Sequence, residues 1–325
     1  MKIQVLGGGA WGMALARLLA GYNHETHLWV HNATHAEQLR RTRRNEALLP
    51  GITLPETVSV TQTPAEDPSM AVYAIPSHAL RETARLCRFE PETLRVSATK
   101  GIENDTLLCM SAVLHEEAPA SKVAVLSGPS HAEEVARDLP ACVVAAGRDD
   151  DVRKHVQDIF GGSTFRVYTS HDVMGVELGG ALKNIIAIAA GACEGFGLGD
   201  NAKAALITRG LAEMIRLGNA CGAEAATFAG LSGLGDLVAT CSSRHSRNYQ
   251  VGRCVARGMT LHDILASTPK VAEGIRTTKS AMLLARKHNV EMPITAAVYK
   301  VLYDGMDARH CITALMNRLM RAEWE

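Results

Sequence analysis

Lys183 and Asn184 stand side by side in an otherwise apolar helical run, residues 178–190. Ordering and partly burying an ammonium group is costly unless it is paired or its pKa falls. A chain that keeps one there is expected to need a proton donor, or a cation aimed into a closed site. The alternative is a lysine whose stem lies along the helix and whose head snorkels to water. A membrane span is the weaker alternative, because Glu177, Lys183 and Asn184 all fall inside the one candidate stretch.

Other residues could act on the same chemistry. Gly7-Gly8-Gly9-Ala10-Trp11-Gly12 reads as G-x-G-x-x-G on Gly7, Gly9 and Gly12. The first glycine permits a tight turn, the second lets a pyrophosphate approach the backbone, and the third lets helix pack on strand. After the next strand the chain reads Trp29-Val30-His31-Asn32, with no acid to hold a ribose 2′-hydroxyl. A 2′-phosphate would not be repelled there, which favours NADP(H) over NAD(H). The nearby arginines 40, 41, 43 and 44 either approach that phosphate or line a solvated helix face.

Three loops end strands in the first half: Pro76-Ser77-His78, Thr99-Lys100-Gly101 and Ser127-Gly128-Pro129-Ser130-His131-Ala132. Ligands of doubly wound sheets sit outside the carboxyl ends of strands. Lys100 is thus either a cation facing a ligand or an ordinary loop lysine. In the second half, Asp236 lies between glycines and apolar residues, either as a helix N-cap or as partner to an ammonium. Ser246-Arg247-Asn248 sets a hydroxyl, a planar donor fork and an amide at a helix start, a combination that suits a phosphate monoester.

These residues need a scaffold, and the patterning supplies one. Short β-rich runs at 3–6, 26–30, 58–61, 71–75, 95–98, 123–126 and 141–146 alternate with helical patterns such as 79–87 and 107–117. That alternation predicts a Rossmann-like, doubly wound α/β sheet, mostly parallel and covered on both faces. From about residue 171 long helical periodicities take over, at 174–192, 202–220, 248–257, 275–288, 295–303 and 309–322. Two domains are expected, a dinucleotide-binding one over 1–172 and an all-α one over 173–325.

Composition narrows the classes further. The 325 residues are 47% hydrophobic and 21% charged, and 34 Lys+Arg balance 34 Asp+Glu. A chain of zero formal charge has no electrostatic case for general nucleic-acid or anionic-membrane binding. The eight cysteines include no C-x-x-C pair, so neither a zinc site nor a disulfide framework is expected. The opening residues run straight into the glycines, so no leader is expected. Reduced thiols in a cytoplasm fit this reading.

Taken together the motifs resemble those of the bacterial-type NAD(P)-dependent glycerol-3-phosphate dehydrogenase family. The matching stretches are GGGAWG at 7–12, ATKG at 98–101, SGPSHA at 127–132 and LGGALKN at 178–184. They continue with ALITRGLAEM at 205–214, GLGDL at 233–237, SRN at 246–248, VAEG at 271–274 and EMPIT at 291–295. The resemblance spans almost the whole chain, and it implies interconversion of dihydroxyacetone phosphate and sn-glycerol 3-phosphate, feeding glycerophospholipid synthesis. It implies Lys183 as general acid/base at the substrate's C2 oxygen and Lys100 in contact with substrate and cofactor. Gly128, Ser130, Asp236, Ser246, Arg247 and Asn248 match substrate-binding positions. Ala10, Trp11, His31, Ala132, Arg247, Val271 and Glu273 match cofactor contacts, beside Gly7, Gly9 and Gly12. A small-molecule substrate is implied, NAD(H) remains usable beside NADP(H), and there is room for a homodimer. The family more often carries Gly-Ala-Gly-Ser than the Gly-Gly-Gly-Ala found here, which removes one side-chain contact to phosphate.

The implied chemistry agrees with the residue types. Two lysines near one oxygen disfavour each other's charge, which eases Lys183 toward a pKa useful for transfer, while Asp236 orients the ammonium. Arg247 and Asn248 would hold the remote phosphate, whose binding energy fixes the reacting carbon. A reductase of another small hydroxy acid or sugar acid would not need that phosphate set. A non-catalytic dinucleotide sensor would have no use for Lys183, Lys100 and Asp236.

Overall fold

Runs of four to six mostly apolar residues form the strands, as expected for a sheet buried on both faces. The computed structural model describes residues 1–267, 272–320, 322 and 323. Its strands are β1 Lys2–Leu6, β2 Glu25–Trp29, β3 Val58–Thr61, β4 Met70–Tyr73, β5 Leu94–Ser97, β6 Val123–Ser127, β7 Ala141–Ala146 and β8 Phe165–Ser170. They lie in the order β3-β2-β1-β4-β5-β6-β7-β8. Neighbours are parallel except β6 and β7, which run antiparallel.

Helices α1 Ala10–Gly21, α2 Ala33–Thr42, α3 Leu80–Leu86, α4 Met110–Glu117, α5 Ala132–Val135 and α6 Asp150–Phe160 cover the sheet. Side chains alternate between its faces. Ile3 and Val5 pack with Met13 and Leu15 of α1 and with Val156 and Phe160 of α6. Leu6, Ala71 and Tyr73 face the other way, onto Leu80 of α3 and Val113 and Leu114 of α4. This is the doubly wound α/β architecture expected from the sequence.

After β8 the chain is helical among the described residues, beginning with α7 Val173–Gly195, α8 Gly199–Ala220, α9 Ala225–Ala229 and α10 Asp236–Ser242. It continues with α11 Arg247–Ala256, α12 Leu261–Ser267, α13 Glu273–Lys287, α14 Pro293–Tyr303 and α15 Ala308–Met316. The helix α7 is the axis of this half. Its Leu178, Leu182, Ile185 and Ile186 are buried, each contributing about 2 kcal/mol. Glycines let the helices meet backbone to backbone. A Cβ at Gly191 would stand 1.9 Å from the Tyr249 carbonyl, and one at Gly252 of α11 would stand 1.9 Å from the Ile188 carbonyl. By length and composition α7 could cross a bilayer, but 83% of its apolar window is buried inside the protein. Its apolar character therefore builds the helical core.

Two differences from the sequence reading have plain causes. Strand β8 was not expected, although its buried Phe165 and Val167 alternate with exposed Arg166 and Tyr168. The last helix, expected over 309–322, ends at Met316 with Asn317 as its C-cap. Met316, Leu319 and Met320 are exposed, so among the described residues no buried stripe holds the chain helical beyond that point.

Candidate active site

The turn between β1 and α1 has the shape a dinucleotide requires. Gly7 takes φ +120°, and a Cβ there would lie 2.4 Å from the Ala74 carbonyl. A Cβ at Gly12 would lie 1.8 Å from the Gly7 carbonyl. At Gly9, by contrast, a Cβ would meet nothing within 4 Å, so that backbone faces open space. No side chain caps the first turn of α1, where Ala10 and Trp11 begin the helix. Closed packing at the outer glycines and open space at the middle one fit a pyrophosphate laid against the helix start.

Beyond β2, His31 is exposed, with its ring 5.6 Å from that of Trp29. Asn32 caps α2 by accepting from the His35 N–H, and none of Val30, His31 and Asn32 after β2 is an acid. The arginine cluster is largely engaged in its own neighbourhood. Arg43 donates to the Pro55 and Val58 carbonyls, Arg44 to Thr53, and Arg40 to Glu37 and the Val60 carbonyl.

Lys183 of α7 is 6% exposed and reaches Asp236, which is 2% exposed. Its Nζ donates to Asp236 Oδ1 and, at 2.6 Å, to Thr240 Oγ1. Lys100, just past β5, donates to the other oxygen of the same carboxylate at 2.6 Å and to the Gly128 carbonyl at 3.0 Å. One aspartate therefore bridges a lysine from the sheet half and a lysine from the helical half. Asp236 is not the N-cap that its sequence also allowed, because Gly235 holds that position. The segment Leu231–Gly235 is a π-helical turn that delivers Asp236 inward at the head of α10. Its glycines make this packing feasible, since a Cβ at Gly233 would lie 2.1 Å from the Phe228 carbonyl.

The electrostatics derive from this geometry. Burial is the main force bringing the Lys183 ammonium down to about 8. Lys100 adds to the fall and Asp236 opposes it. Burial alone would raise the Asp236 carboxyl, but the two ammonium groups hold it below its ordinary value. The result is an anionic bridge beneath a lysine able to exchange a proton near neutral pH. A buried Ser127 hydroxyl without a hydrogen-bond partner lies beside this cluster. A Cβ at Gly180 would meet it at 2.6 Å and the Lys100 stem at 3.5 Å.

Several of the remaining residues singled out by sequence are engaged by their own neighbours. Ser130 turns its hydroxyl back onto the Gly128 carbonyl at 2.9 Å. Ala132 heads α5 and packs on the sheet core. Ser246 caps α11 by accepting from the Tyr249 N–H. Asn248 makes a hydrogen bond at each end, donating one N–H to Asn184 at 2.8 Å and accepting from the Gly274 N–H at 2.8 Å. Glu273, first in α13, accepts from Ser77 N and Oγ at 3.2 and 2.6 Å. Burial raises its carboxyl, while the Ser77 bonds, Arg276 and Arg247 pull the other way. Arg247 thus lies within electrostatic reach of Glu273, and Val271 lies outside the described residues. In the strand-end loops, His131 meets the Ala239 carbonyl at 3.3 Å, and His78 sits in the short turn after Pro76.

Thr240 was missed. Its signal is its spacing, four residues after Asp236 on one helix, which puts both on the same face. Among the described residues no group of three or more His, Cys, Asp or Glu could hold a metal. A cavity of about 1460 Å³ lies elsewhere, between the second half of α7, α8, α14 and α15, and contains none of the cluster.

Two sequence-family models match the chain in succession. The N-terminal part of NAD-dependent glycerol-3-phosphate dehydrogenase matches residues 2–153, and the C-terminal part matches residues 172–313. Glycerol-3-phosphate dehydrogenase (NAD(P)+) of Moorella thermoacetica is 50% identical over 322 residues, covering 98% of this chain and 96% of that protein. The enzyme of the same name from Pelotomaculum thermopropionicum is 46% identical over 332 residues, covering 100% and 95%. The crystal structure of glycerol-3-phosphate dehydrogenase from Coxiella burnetii superposes with a TM-score of 0.92 at 35% identity, over 97% of this chain and 98% of that one. The chain belongs to the NAD-dependent glycerol-3-phosphate dehydrogenase family.

Proposed function

We propose that this enzyme interconverts dihydroxyacetone phosphate and sn-glycerol 3-phosphate, using NADP(H) in preference and NAD(H) as an alternative. The observation that carries this reading is the carboxylate of Asp236, shared between Lys183 and Lys100 at the seam of the two halves. When bound, the nicotinamide supplies or accepts the hydride. Lys183 gives its proton to the C2 oxygen during ketone reduction and takes it back during alcohol oxidation. Asp236 and Thr240 fix the direction of the ammonium, and Lys100 adds positive charge where the oxygen becomes negative. Gly128, Ser130, Ser246, Arg247 and Asn248 hold the rest of the substrate, with Arg247 as the phosphate fork.

Gly7, Gly9, Ala10, Trp11 and Gly12 would carry the pyrophosphate side of the cofactor. His31, Lys100, Ala132, Arg247, Val271 and Glu273 complete its contacts. Preference for NADP(H) rests on the absence of an acid after β2. We place the division between dinucleotide-binding and substrate-binding domains at residues 172/173. The setting we assign is cytoplasmic supply of glycerol 3-phosphate for glycerophospholipid synthesis, which the free state of all eight cysteines supports. The test is an initial-rate assay with dihydroxyacetone phosphate. Oxidation of NADPH at least as fast as NADH is expected. A clear kinetic preference for NADH would overturn the cofactor assignment, and no turnover with either would overturn the substrate.

A further inference from the structure

Two buried glutamates outside the catalytic cluster hold the starts of helices. Glu213 of α8 accepts from the Thr295 N–H at 3.1 Å and also from the Ile294 N–H, at the head of α14. Both its helix and the one it caps belong to the helical half. Glu177 differs, because its partner lies across the seam. From α7 it accepts the Ser111 N–H at 2.8 Å and the Ser111 hydroxyl, at the head of α4 in the sheet half. Cys109 Sγ and Met174 Sδ touch beside it at 3.8 Å.

Of the two elements joined at this point, α7 carries Lys183, and α4 follows the segment that bears Lys100. Lys183 is six residues beyond Glu177 on the same rigid helix. Ser111 comes after Lys100 by a short loop, whose ends are drawn together by the bridge between Ile102 and Cys109. Ile102 and Cys109 are themselves buried in the core built around α7. The Glu177–Ser111 contact therefore fixes α7 against the segment that bears Lys100. We propose that Glu177 is a positioning residue, which sets the register of Lys183 against Lys100 and so completes the site across the two halves.

Burial pushes the Glu177 carboxyl up to about 7, against the pull of the Ser111 bonds. Either protonation state still offers an oxygen to the Ser111 N–H, so the contact needs an acceptor at that point rather than a charge. Glu177→Gln preserves an acceptor for the N–H, whereas Glu177→Ala removes it. A misplacement of about an ångström between reacting groups costs up to roughly 100-fold in rate.

The inference rests on Lys183 and Lys100 acting in dihydroxyacetone phosphate reduction. A wild-type enzyme inactive in that assay would sink the assigned function, whereas an active wild type leaves the Glu177 variants to decide the positioning role alone. On the full-length enzyme, kcat per folded molecule, the KM for NADPH, and the isotope effect with NADPH deuterated at the transferred position are measured together. Glu177→Ala should lose on the order of tenfold or more in kcat, with a larger isotope effect and little change in the KM for NADPH. Glu177→Gln should restore kcat to within about threefold of wild type. Glu213→Ala should lower thermal stability while leaving kcat per folded molecule intact. Unchanged kcat and isotope effect in Glu177→Ala would overturn the proposal, as would a Glu177→Gln loss equal to that of alanine. If Glu177→Ala fails to fold, Ser111→Ala decides, since it removes the hydroxyl bond but keeps the backbone one. A severalfold loss of kcat supports the proposal, and wild-type kcat refutes it.

Discussion

The glycine turn after β1 and the charged cluster around Asp236 solve opposite problems. The turn is made of backbone within six consecutive residues, and its function lies in the absence of side chains. The cluster is made of side chains drawn from distant parts of the chain, and its function lies in the charges it buries. Lys183 and Asp236 are 53 residues apart, and Lys100 and Asp236 are 136 apart. A turn of this kind costs the fold little, whereas burying an ammonium and a carboxylate is expensive even when they are paired. The apolar contacts of α7 and the close helix crossing at Gly191 and Gly252 offset that cost. Cofactor recognition can thus be local, but proton transfer has to be assembled from both halves.

The widest separation between the two regions should come from Lys183→Ala. We expect kcat to fall by roughly 100-fold or more, with NADPH affinity retained in a fluorescence titration. Near-normal turnover would remove Lys183 as the general acid. The turn is tested by an opposed pair. Gly9→Ala places its methyl in open space, so it should fold with unchanged melting temperature yet bind NADPH about tenfold or more weakly. Gly12→Ala forces its methyl onto the Gly7 carbonyl and should cost about 1–3 kcal/mol of stability as well. Equal melting temperatures for the two variants would contradict this division.

A smaller effect is expected at Thr240. Thr240→Val removes one oxygen from the Lys183 ammonium and should lower kcat by about tenfold at most, leaving the KM for NADPH alone. The smallest effect is a shift in pH dependence. With Lys183 near 8, reduction needs the protonated form, so its rate should fall as pH rises through about 8. Oxidation should show the opposite trend. Lys100→Met removes a like charge, so the alkaline limb should move up by about one pH unit. A limb that stays in place would mean that Lys100 does not tune Lys183.

The contrast between the regions also explains what could be read in the chain. Gly7, Gly9 and Gly12 were legible because strand, turn and helix succeed one another without interruption. The period-two alternation at β8 is shorter, with only Phe165 and Val167 as buried positions, so it is a weaker local signal. Lys183 was legible only as an anomaly, because the paired and the snorkelling states share one sequence pattern. Asp236 stayed open between cap and partner until the π-turn fixed its direction. Nothing local indicated that Glu273 would meet Ser77, 196 residues away, or that Glu177 would reach Ser111. Long-range side-chain pairings depend on how the two halves dock, which residue spacing does not encode.

The π-turn at Leu231–Gly235 has a consequence for how this chain can vary. It closes on a bond from the Gly235 N–H to the Gly230 carbonyl, one residue wider than an α-turn. Each residue added to or removed from a helix rotates the downstream turns by about 100°. The turn therefore acts as the phase setting of α10, aiming Asp236 and Thr240 together at Lys183. A deletion of one residue here would swing both away while leaving every catalytic side chain in the sequence. At this point chain length is as much a determinant of the active site as residue identity.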